Sequence, residues 1–170
     1  MKYSKEQTKE LLLKIENSLR EYLLKHNIND PILIGIHTGG VWIADWLQKS
    51  MGFKGKAASL NISFHRDDYN KVGVNPRVEP TEMPVSIDGK HIILVDDVLF
   101  TGRTTRAAIN EIFDFGRPLS VTLVVLVERN GKELPISADI VGEKLELEND
   151  KDIKLLGPQP ILLEITDKET

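Results

Sequence analysis

The chain has no cysteine among its 170 residues, which removes disulfides, thiolate nucleophiles and cysteine-based zinc sites from consideration. Aromatic residues are scarce, at 6%. No apolar run approaches the roughly 20 residues that a membrane-crossing helix needs. There is no excess of positive charge either. The formal net charge is −4, so the whole molecule exerts no general pull on nucleic acid, and neither DNA nor a membrane is an expected partner. Internal repeats and low-complexity segments are absent from the sequence, which excludes arrays and flexible linkers. The first ten residues, MKYSKEQTKE, lack the apolar core of a secretory signal, so a cytoplasmic protein is expected. What remains, 41% apolar and 28% charged, is the composition of one globular domain with a substantial core.

Hydrophobic periodicity divides the chain. Leu11, Ile15, Leu19 and Leu23 recur at fourfold spacing, which predicts an amphipathic helix from Ser4 to about Lys25, with Ser4 and Gln7 at capping-box spacing. PILIGI (31–36) reads as a buried strand, HTGG as a loop and VWIADWLQKSMG as a helix. AASLNISF (57–64) alternates as a strand. From His65 to Pro84 there are three prolines, many charges and no period, the mark of a long functional loop. HIILVDD, TTRAAINEIFDFG and SVTLVVLVER then read as strand, helix and a strand buried on both faces. ADIVG, IKLL and ILLEI are shorter strands, expected as edge strands or a small appended unit. Strands alternating with helices through Gly116 predict a mainly parallel α/β sheet, whose ligands sit beyond the carboxyl ends of its strands.

One such end carries the chemistry. In ILVDDVLFTGRTT (93–105) the apolar run meets two adjacent carboxylates, Asp96 and Asp97, and then a cluster of small hydrogen-bonding residues ahead of a helix. Gly102 permits a tight turn, and the backbone N–H groups that open the helix, with the hydroxyls of Thr101, Thr104 and Thr105, suit a phosphate. The carboxylates would repel that phosphate on direct contact. They suit sugar hydroxyls or a hydrated Mg²⁺ instead, and a phosphate flanked by a diol is a ribose 5-phosphate. A lone Asp-Asp would more simply be a helix cap beside solvated threonines; the full combination is much rarer. A Walker A loop and a Gly-x-Gly-x-x-Gly turn are both missing, which removes support for nucleoside triphosphatase and dinucleotide readings.

ILVDDVLFTGRTT resembles the phosphoribosyl pyrophosphate (PRPP) signature of type I phosphoribosyltransferases. Among these the chain is most similar to the PyrR group, pyrimidine-operon attenuators with uracil phosphoribosyltransferase activity. GIHTGGVWIA resembles that family's pyrophosphate loop, ISFHRDDYNK its entry into the active-site loop, and ELPISADIVG its base-binding region. The resemblance implies a single domain over 1–170, in which a parallel sheet is flanked by helices. It also implies a flexible active-site loop (65–84) and a base-binding hood with edge strands (128–170). Asp96 and Asp97 would face the ribose hydroxyls and hold Mg²⁺, directly or through water. Thr101, Gly102, Arg103, Thr104 and Thr105 would bind the 5-phosphate, and His37, Thr38, Gly39 and Gly40 the pyrophosphate. Arg66, with Asp67 and Asp68, would act from the root of the closing loop, and Phe100, Val127 and Arg129 would meet the base. The implied reaction joins uracil to PRPP, giving UMP and pyrophosphate, in a homo-oligomer (dimer or tetramer).

The chain departs from the family pattern in three places. Other members carry Lys and Arg at the positions of His37 and Gly39, so this pyrophosphate loop lacks two cationic side chains. Purine-using relatives carry an Asp where Phe100 stands. Phenylalanine has no proton to exchange, which favours a pyrimidine over a purine base. The third departure concerns RNA, which the attenuators bind through the N-terminal helix and the region 129–143. At the positions where the attenuators are basic, this chain keeps a positive charge only at Lys132 and Lys14, with Gly131, Ser137, Glu143, Asn17 and Tyr22 at the others. The first 30 residues carry a net +1, and those from Val141 onward a net −4. An RNA-binding, UMP-sensing regulator is therefore the second expectation, and a purine phosphoribosyltransferase the third. The helical settings of Trp42, Trp46 and Phe113 predict core or subunit packing.

Overall fold

The computed structural model describes residues 1–62, 81–83 and 86–169. Helix α1 (Lys5–Lys25) opens on the expected capping box. The Gln7 N–H donates to Ser4 Oγ at 3.1 Å, and the Ser4 N–H to Gln7 Oε1 at 2.8 Å. Strand β1 (Ile32–Ile36), helix α2 (Gly39–Ser50) and strand β2 (Ala58–Leu60) follow. Then come β3 (His91–Leu99), α3 (Arg103–Phe115), β4 (Ser120–Arg129), β5 (Ile140–Leu145), β6 (Lys151–Leu156) and β7 (Leu162–Asp167).

Five strands form one sheet in the order β2-β1-β3-β4-β5, every pair parallel. The segment read as ADIVG is thus a fifth, edge strand of the main sheet. IKLL and ILLEI form a separate antiparallel pair, β6–β7, whose first register position carries the ion pair between Lys151 and Asp167.

The central strands β3 and β4 divide their side chains between two cores, as a period of two demands. Ile93, Val95, Val124 and Leu126 join α1, α2 and the β6–β7 hairpin on one face. Ile92, Leu94, Leu123 and Val125 pack with Ala107, Ala108 and Ile112 of α3 on the other. Trp42 and Trp46 lie partly buried against the first core, as expected, whereas Phe113 is 54% exposed and lies outside both.

Two sequence expectations are adjusted. β2 covers Ala58–Leu60, paired with β1 as far as Ile36, and residues 63 and 64 of the expected strand lie outside the described residues. The last bond of that pairing is the His37 N–H to Leu60 O, at 2.9 Å. β3 does not stop at the carboxylates but runs on to Leu99, because β4 pairs with it that far, Leu99 opposite Glu128.

This strand order decides where a ligand can go. From β1 the chain moves outward to β2 and later returns to the other side of β1 as β3. In an open parallel sheet the crevice lies at such a reversal, beyond the carboxyl ends of the two strands that flank it. Those ends carry His37–Gly40 and Asp96–Thr105.

Candidate active site

Two helices begin at this crevice, and neither N-cap residue supplies a side-chain cap. α2 starts behind Thr38, whose side chain makes no hydrogen bond to the first turn, and α3 behind Gly102, which has no side chain to cap with; of its first N–H groups, that of Arg103 is taken by Thr101 Oγ1. The N–H groups of a first helical turn carry the positive end of the helix dipole. Adjacent strands lie about 4.8 Å apart, so β1 and β3 deliver two such ends side by side. That arrangement suits a ligand with two separate anionic groups.

The loop before α2 reaches the crevice because of its glycines. A Cβ on Gly39 would overlap the Asp97 carboxylate, and one on Gly40 would overlap Val95 O and come 3.0 Å from Asp96 Cα. The backbone of the first turn of α2 therefore lies directly on the end of β3. The His37–Thr38 peptide just ahead of it is cis. The smallness of Gly39, read from sequence as a lost cation, brings backbone against Asp97.

The two aspartates differ. Strand alternation turns Asp97 toward the α2 face and Asp96 toward the α3 face. Asp96 is 2% exposed and its Oδ1 accepts the Asp97 N–H at 2.9 Å. Asp97 is half-buried, and its Oδ1 accepts the Val98 N–H, also at 2.9 Å. Each carboxylate thus spends one oxygen on orienting itself.

The phosphate cradle is built around Gly102, whose φ of +94° is left-handed and strained for any other residue. Thr101 Oγ1 accepts the Arg103 N–H at 3.1 Å, and Thr105 is buried in the first turn of α3. The Arg103 side chain is directed to Glu133 Oε2, at 3.0 Å from Nε and 2.7 Å from Nη2. From outside, the N–H groups of Glu133 and Leu134 donate to Thr101 O at 3.0 and 3.1 Å, and Leu134 and Ile136 pack at Gly102. This buckle was not foreseen from sequence, where ELPI stood out only through the family resemblance.

Phe100, 37% exposed, sits between the carboxylates and the cradle, under the guanidinium of Arg129, and Val127 is fully buried in β4. Arg66, Asp67 and Asp68 lie outside the described residues, as do His65 and most of the expected 65–84 loop. Among the described residues no group of three or more metal-ligating side chains gathers, and no helix is long and apolar enough to cross a membrane.

An open parallel sheet with two helix starts and paired carboxylates at its reversal is the frame of a phosphoribosyltransferase. The phosphoribosyl transferase domain family matches residues 5–160. The chain belongs to the PyrR family. It is 50% identical over 155 residues to the bifunctional protein PyrR of Pseudomonas paraeruginosa, covering 91% of each chain. To that of Nitrosococcus oceani it is 48% identical over 157 residues, covering 91% of this chain and 89% of the relative. The fold is shared more widely. A purine phosphoribosyltransferase from Pyrococcus horikoshii superposes with a TM-score of 0.64 at 20% identity, over 84% of this chain and 85% of that one. A Leishmania tarentolae HGPRT-ase in complex with GMP gives 0.62 at 16% identity, over 85% and 79%.

Proposed function

We propose that this phosphoribosyltransferase joins uracil to PRPP, releasing pyrophosphate and forming UMP. The observation that carries this reading is the convergence of three parts at one sheet end: the α2 start, the Asp96–Asp97 pair and the α3 start. PRPP has three matching parts, a diphosphate, a diol and a 5-phosphate. His37, Thr38, Gly39 and Gly40 offer backbone N–H groups to the diphosphate. Thr101, Gly102, Arg103, Thr104 and Thr105 form the 5-phosphate cradle, and Asp96 and Asp97 accept from the ribose hydroxyls.

In the reaction the C1–oxygen bond to pyrophosphate breaks, and C1 bonds to N1 of the base, which gives up its proton. Positive charge develops on the sugar and negative charge on the leaving group. Fixed N–H dipoles at the α2 start stabilise the leaving group without reorganising. The carboxylates of Asp96 and Asp97 form an all-oxygen donor set with too few ligands to enclose an ion. That fits Mg²⁺, which keeps water and takes phosphate oxygens. Bound there, it would supply countercharge to the diphosphate. Phe100 forms the base end, backed from behind by Val127 and Arg129. Phe100 exchanges no proton, which suits a pyrimidine that reacts as its N1 anion. Arg66 and its loop would exclude water from the sugar cation.

The surface that the RNA reading requires is largely engaged internally. Lys14 Nζ donates to Gly142 O at 2.5 Å, Tyr3 OH to Glu143 Oε2 at 2.8 Å, and Lys132 pairs with Glu128. These contacts favour the enzyme reading over the regulator. A radiolabelled-base assay with PRPP and Mg²⁺, comparing uracil, hypoxanthine, guanine and orotate, tests it. UMP should form from uracil, and Asp96→Asn or Asp97→Asn should lower the rate at least about tenfold. Unchanged turnover in both variants overturns the assignment.

A further inference from the structure

Arg129 closes β4 and is only 4% exposed. A guanidinium stays charged in a protein, so burying one demands compensation. Nη1 donates to Lys151 O, at the start of β6, at 2.8 Å, and Nη2 to Glu148 O, in the connection from β5, at 3.3 Å. Nε is buried and has no hydrogen-bond partner. What the planar cation does face is Phe100, with its central carbon 4.4 Å from the ring centroid. This is close enough for an attraction between cation and ring.

The ring is held from other directions as well. Gly131 lies so near that a Cβ there would overlap the Phe100 ring, and its φ of +112° independently favours glycine. Lys168, at the end of β7, brings its Nζ to 5.9 Å from the ring centroid. The carbonyls that grip Arg129 are themselves secured. Lys151 pairs with Asp167, and the Lys168 N–H donates to Asp150 O at 2.7 Å.

We propose that Arg129 is a positioning residue that determines base affinity by fixing the Phe100 ring, with no bond of its own to the base. The geometry favours this because two of its nitrogens point to backbone carbonyls and the third is sealed from the crevice. The β6–β7 hairpin then acts on the base site through Arg129, although it belongs to a different sheet. This inference rests on the reading of Phe100 as part of the base site.

The test uses the full chain carrying Arg129→Lys, and separately Gly131→Ala, which disturbs the same ring from another side. Lysine keeps the charge but loses the stacked plane and the two-carbonyl fork. Each variant should raise the KM for uracil about tenfold, the scale of a lost cation–ring contact, while the KM for PRPP changes less than about twofold. In ¹³C-phenylalanine-labelled protein, the Phe100 ring resonance, assigned by its loss in Phe100→Leu, should shift in both variants with the other four phenylalanines unmoved. An unmoved Phe100 resonance in Arg129→Lys overturns the proposal, as does a rise in the KM for PRPP equal to that for uracil. If the unsubstituted chain turns over no uracil, the substrate reading fails instead. The resonance alone then decides whether Arg129 positions the ring.

Discussion

Asp97 and Gly39 show how much one missing side chain can settle. Strand and loop lie in contact at the crevice because residue 39 has no Cβ, and the Asp97 carboxylate occupies the space a Cβ would take. Gly39→Ala should therefore turn Asp97 out of place and lower kcat/KM for PRPP at least about tenfold, on the scale that small misplacements cost. Steady-state kinetics with varied PRPP checks this, and a value within about twofold of the parent would contradict it. Tyr3 offers a residue-scale test away from the crevice. Burial, and then its hydrogen bond to Glu143, push the Tyr3 hydroxyl from 10.0 up to about 12. The native state therefore retains this proton more tightly than the unfolded chain. The associated stability is complete below pH 10 and is lost as the pH rises from there through about 12. Ultraviolet titration of the three tyrosines should find one that ionises near 12, and Glu143→Gln should bring it down.

At the scale of elements, the segment Glu133–Ile136 and the cradle Thr101–Gly102 behave as one piece. Two backbone hydrogen bonds, the packing at Gly102 and the Arg103–Glu133 pair join them. The ion pair is about half exposed on both sides, so its direct worth is under about 1 kcal/mol. Glu133→Gln should leave the urea midpoint nearly unchanged while raising the KM for PRPP a few-fold, because it weakens the pair that orients Arg103 beside the cradle. Equal losses in stability and PRPP affinity would show the pair to be merely structural. The start of α1 is simpler. Ser4→Ala removes a capping box and should cost about 1 kcal/mol in chemical denaturation. Elements of this kind were legible in the sequence. The α1 cap, the ten residues of β4 and the Gly102 turn follow from spacing and residue type among close neighbours. The extent of the β1–β2 pairing was not legible, since the alternation that begins at Ala57 carries no mark of where the partner strand β1 ends.

For the whole molecule, the two cores on either side of the sheet are what bring the loops into register. Ile93 and Leu94 are adjacent in β3, fully buried, and assigned to opposite cores. Replacing either with alanine should cost about 2–5 kcal/mol, measured by urea unfolding, since each leaves a cavity in a packed layer. The amino-acid sequence by itself determined the elements, the carboxylate pair and the phosphate cradle, because burial period, turn geometry and helix capping are properties of residues near one another in the chain. The tertiary structure alone decided that β3 returns beside β1, and so that His37–Gly40 meets Asp96–Asp97. It alone turned Arg129 onto Phe100 and buckled Glu133 to the cradle. Those contacts join residues from about 30 to nearly 60 positions apart, and no local pattern encodes a partner that only the packing of the sheet brings near.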